Sequence, residues 1–74
     1  MYKKSTYKAY MKRLILTKGY DPVFIAKKTY EIYMDHASDI NTQMRDILLD
    51  VSTMENGPEF EMTEEEFIKF LDEL

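Results

Sequence analysis

The chain reads as all-α, a small bundle of three longer helices over about 3–18, 22–37 and 39–54 with a short C-terminal helix at 63–74. Three observations predict this. Apolar residues recur at i, i+3, i+4 and i+7 in four successive segments, the spacing of one helix face. The only two glycines and two prolines fall between those segments or, for Pro22, at the first position of one. Thr63 followed three residues later by Glu66, just ahead of an apolar run, has the form of a capping box.

In the first helix Tyr7, Tyr10, Met11, Leu14 and Ile15 form the stripe, with Lys8, Lys12 and Arg13 off it. Lys18 suits the negative helix end, whereas Lys3 and Lys4 oppose the positive one and favour fraying of the first turn. Leu16 falls on the far side, near Ala9 and Lys12. Gly19 closes this helix, and Asp21 followed by Pro22 is the cap-then-proline order that opens the next.

The second helix has a wider apolar arc. Val23, Ala26, Tyr30, Tyr33, Met34 and Ala37 make one stripe, and Ile25 and Ile32 broaden it. A helix apolar over half its circumference is packed on two sides, which makes this the central one. The third helix is capped by Ser38 or Asp39. Its stripe is Ile40, Met44, Ile47, Leu48, Val51 and Met54, with Leu49 on the opposite face. No glycine or proline separates it from the second helix, so periodicity alone does not distinguish two helices from one bent helix. Residues 55–62 form a loop in which Phe60 and Met62 alternate with acids and are expected to point inward from an extended stretch. The last helix carries Phe67, Phe70, Leu71 and Leu74 on one face, with Met62 and Phe67 placed for a hydrophobic staple. It is too short to persist alone and must dock.

Seventy-four residues make a single domain, 1–74, with a thin stability margin. There is no cysteine, which removes disulfides, thiolate ligands and thiol catalysis. Ten aromatics, six Tyr and four Phe, supply large buried area for a core. The apolar run Leu14, Ile15 and Leu16 is far too short to span a membrane. A cytoplasmic location is the expectation.

Charge is strongly divided along the chain. Residues 1–28 carry eight bases against one acid, a net +7, and residues 29–74 carry two bases against thirteen acids, a net −11. Such a layout bears on association and docking more than on fold.

No arrangement points to catalysis, a cofactor or a metal. His36 is the single histidine, and Ser5, Ser38 and Ser52 sit in no strand-to-helix elbow. The stretch 52–64 has Asn56-Gly57 and ends in an acid, but Met54 stands at a ligand position of a calcium loop and Glu59 where an apolar residue belongs. The function expected is therefore non-catalytic: a small protein-binding regulator, inhibitor or accessory protein. Its Lys-, Tyr- and Ile-rich usage fits a bacterial, phage or mobile-element origin. The partner is another protein or a second copy of the chain, and the candidate contact residues are Leu16, Leu49, Lys8, Lys12, Arg13, Lys27 and Lys28. A homodimer would cover Leu16, Leu49 and the surplus apolar surface of the second helix. The alternative is a nucleic-acid-binding regulator using the basic segment 3–28.

Overall fold

Each predicted helix forms in a computed structural model that describes residues 2–74. The elements are α1 (Lys4–Lys18), α2 (Pro22–His36), α3 (Thr42–Ser52) and α4 (Glu64–Asp72), with 3₁₀ turns at Thr53–Asn56 and Pro58–Phe60. The described residues contain no strand. Their buried side chains form one cluster, to which α1 gives Tyr7 and Met11, α2 Ile25 and Ala26, α3 Met44, Leu48 and Val51, and α4 Phe67 and Leu71. Tyr20, in the connection between α1 and α2, donates its phenol to the Met62 carbonyl at 2.6 Å and lays its ring 5.7 Å from that of Phe67. It ties the start of α4 to the rest of the bundle.

The central helix is α2, packed on α3 and on the turn at 53–56, and joined to α1 through its middle. Its buried face lies toward the Ile25 and Ile32 edge of the predicted arc rather than at the centre of the stripe. Ile25, Ala26 and Thr29 are fully buried, whereas Val23, Tyr30 and Met34 are exposed. At 3.6 residues per turn, this rotates the helix by about a quarter-turn from the position its apolar residues favour. Thr29 explains the rotation: its hydroxyl meets the buried Tyr7 hydroxyl at 2.9 Å and lies 3.9 Å from the Met11 sulfur. A polar side chain with partners enters a core at little cost.

The break between α2 and α3 is real and sits later than predicted. Asn41, not Ser38 or Asp39, caps α3, and its side chain accepts from the Met44 amide at 2.7 Å. The turn needs no glycine because its backbone groups find partners: the Asp39 amide donates to the His36 carbonyl at 2.8 Å, and the Tyr2 amide to the Asp39 carbonyl at 3.4 Å. The far end of α3 also differs, since the last turn tightens to 3₁₀ geometry at Thr53.

The loop at 55–62 departs most from expectation. Gly57 adopts φ +156°, and Pro58–Phe60 forms a turn closed by the Phe60 amide on the Gly57 carbonyl at 3.1 Å. A turn of period three replaces the alternation of an extended chain. Only Met62 packs on the core, and Phe60 is left half exposed.

The capping box read from the sequence is present at the α4 N-terminus. The Thr63 hydroxyl accepts from the Glu66 amide at 3.1 Å, and the Glu66 carboxylate accepts from the Thr63 amide at 2.8 Å. Thr63→Ala is expected to lower stability by about 1 kcal/mol, measured as a shift in the urea midpoint at unchanged slope. A neutral result would place Thr63 outside a cap.

Two tyrosines make the fold sensitive to alkali. Burial pushes the Tyr7 phenol far above its ordinary value. Burial, followed by the charges of Glu61, Glu66, Glu64 and Asp21, pushes Tyr20 up to about 12. Both values are raised in the folded state, so the associated stability is fully present below the unfolded tyrosine value of about 10. It is lost as pH rises from there through the folded values. Melting temperature should therefore fall between about pH 10 and 12, and less steeply in Tyr20→Phe than in the parent once each is referred to its own neutral-pH value. Parallel curves would mean that Tyr20 titrates normally.

Candidate protein-binding surface

Helices α1 and α4 lie side by side and antiparallel. Ile15 and Leu16 flank Glu64 and Ile68 at one end of the pair. One turn earlier along α1, the Lys12 ammonium contacts the Asp72 carboxylate at 2.7 Å. Residue numbers fall along α1 as they rise along α4, which sets the direction. The groove between the helices is lined by Lys12, Ile15, Leu16, Glu64 and Ile68.

Leu16 is the decisive residue here. It is 87% exposed although it sits on a regular helix next to the core residue Ile15. The cause is its position on α1, where Tyr7 and Met11 define the buried face and Leu16 projects away from it. Ile68 likewise sits beside the buried Phe67 at the edge of its own helix, half buried. An apolar patch thus runs across both helices, with charges on each border: Lys12 and Arg13 from α1, and Glu64, Glu65 and Asp72 from α4. The hydrogen bond from Lys12, followed by its charge and that of Lys8, holds the Asp72 carboxyl below the usual carboxylate range. The ion pair therefore persists down to mild acid and is lost only as pH falls through that lowered value.

The structure brings together three of the seven candidate contact residues, Leu16, Lys12 and Arg13, with Lys8 approaching along the same helix. The others lie elsewhere. Leu49 is half buried and lines a separate depression between α2 and α3 with Tyr30, Ser52 and Thr53. Lys27 is exposed on α2. Lys28 contacts Glu31 at 3.5 Å and sits 5.6 Å over the Phe24 ring. Leu16 and Leu49 therefore belong to different surfaces, and the basic residues of 1–28 do not converge on one of them.

Ile68, Glu64 and Glu65 were not among the sequence candidates, although Ile68 carried a signal as an apolar residue outside the Phe67, Phe70 and Leu71 stripe. The exposed Tyr30 and Met34 were hidden because they fit the predicted stripe of α2. His36 packs its ring 4.6 Å from that of Tyr2, and its Nδ1 lies 3.7 Å from the Asp39 carboxylate. This arrangement fastens the start of the chain to the turn after α2. Among the described residues no group of His, Asp and Glu is placed to hold a metal ion, and no helix is long and apolar enough to cross a membrane. Comparison with protein-family models, curated protein sequences and solved structures found no match to this chain.

Proposed function

We propose that this chain is a non-catalytic protein-binding factor, in the class of small regulators, inhibitors and accessory proteins, and that it binds through the α1–α4 face. The observation that carries the reading is Leu16, 87% exposed between Ile15 and Ile68 with charges on both borders of the patch. Protein interfaces have this make-up, an apolar centre inside a polar rim. Exposing a leucine so fully gains nothing for the isolated fold, whereas covering it on association removes that apolar area from water.

Nucleic-acid binding through residues 3–28 receives less support. Phosphate contact needs cations clustered on one face. Here Lys12 and Lys28 are engaged with carboxylates, and the acids of α4 stand beside the basic side of α1.

Affinity capture from lysate of the source cells, run with the parent chain, Leu16→Glu and Lys27→Glu, tests the reading. A partner retained by Lys27→Glu and lost by Leu16→Glu supports it, once direct binding of the two purified proteins reproduces the difference. A partner indifferent to Leu16→Glu overturns it. Salt-sensitive binding to random duplex with no protein partner would establish the nucleic-acid role instead.

A further inference from the structure

We infer that the α1–α4 face is covered by a second copy of the same chain, related by a two-fold axis that runs along the groove between the two helices. The inference rests on the protein-binding reading above and names the occupant of that face.

Charge placement selects this partner. Beyond the Lys12–Asp72 pair, which closes within one chain, the α1 side of the patch presents Lys8 and Arg13, and the α4 side presents Glu64, Glu65 and Glu73 against the single Lys69. The two sets of charge sit on different helices, either side of a groove whose apolar lining is Leu16, Ile15 and Ile68. A two-fold axis in the plane of the interface and parallel to the groove sets α1 of one copy over α4 of the other, twice. Basic rows then meet acidic rows, and each Leu16 falls on the Ile68 of the opposite copy. An axis across the groove would instead set α1 on α1 and α4 on α4, opposing like charges, which disfavours that orientation. The face is thus self-complementary in one orientation, as an isologous contact requires.

Two further observations fit. Neither Arg13 nor Glu73 has an ion partner among the described residues, so both are available across the interface. A standard contact takes about 800 Å² from each partner. Out of an accessible surface of 4822 Å² that is about a sixth, the share of one broad side. One helix is too narrow to supply it, so both α1 and α4 have to contribute.

Sedimentation equilibrium at roughly 10–200 μM tests the inference on the intact chain, with circular dichroism confirming that each variant is folded. The parent should sediment at twice the 8.9 kDa chain mass at the upper concentrations. Leu16→Glu should remain monomeric throughout. Arg13→Glu and Glu73→Arg should each weaken association roughly tenfold, and the double variant should recover most of the loss. A monomeric parent at the highest concentration overturns the second copy as occupant. So does a dimer that survives Leu16→Glu, or one whose charge reversals fail to compensate each other. Such a failure is separable from that of the broader reading: a monomer that still loses a protein partner on Leu16→Glu leaves the protein-binding function standing, and a monomer whose partner ignores that variant removes both.

Discussion

Phe67→Ala should leave a substantial unfolded population at about 37 °C. Phe67 is fully buried, stacks on Phe70 with ring centroids 6.1 Å apart, and meets the Tyr20 ring at 5.7 Å. Truncating a buried phenylalanine costs about 3–5 kcal/mol, from lost transfer energy and the cavity left behind. A domain of this size has a total stability of about 5 kcal/mol. About 0–2 kcal/mol remains, so unfolded chains become a substantial fraction of the population. Phe70, which is only partly buried, should cost less on the same change. Thermal melts by circular dichroism check the order, Phe67→Ala below Phe70→Ala below the parent. An unchanged melting temperature in Phe67→Ala would mean that α4 is not docked, and the α1–α4 face would disappear with it.

Thr29→Val should cost about 1–3 kcal/mol despite adding a methyl group to an apolar neighbourhood. The substitution removes the partner of the Tyr7 hydroxyl, which is fully buried. Tyr7→Phe should cost about 1 kcal/mol, because the Thr29 hydroxyl still has the Met11 sulfur within 3.9 Å. The double variant should lose less than the two single losses added together, since it leaves no orphaned hydroxyl. Urea titrations of all four proteins give the coupling directly. Strict additivity would show that the two hydroxyls do not depend on each other, and the rotation of α2 would need another cause.

That pair also shows where sequence reading stops. The helix count, the capping box at Thr63 and Glu66 and the apolar face of α4 could be read directly, because each depends on residues within a turn or two of one another. The rotation of α2 could not. A threonine at position 29 looks polar and its neighbours Tyr30 and Met34 look like core, until a hydroxyl 22 residues away makes the threonine the better one to bury. The cap of α3 failed for a similar reason: Ser38, Asp39 and Asn41 are all competent caps, and the choice depends on the Tyr2 amide closing on Asp39 from the other end of the chain.

The candidate site was legible only in pieces. Leu16 and the basic side of α1 stood out because an apolar residue off its stripe and a run of cations are local patterns. Ile68 and Glu64 joined them only once α4 docked antiparallel on α1. The division of charge between the two halves of the chain was plain from the sequence, as was the absence of cysteine. Whether those halves meet within one chain, and at which residues, was a question of tertiary structure, which closes Lys12 on Asp72 and leaves Arg13 and Glu73 facing outward. Periodicity and capping are properties of neighbouring residues and survive as sequence. Which face is buried depends on partners supplied by distant segments, and only folding brings those together.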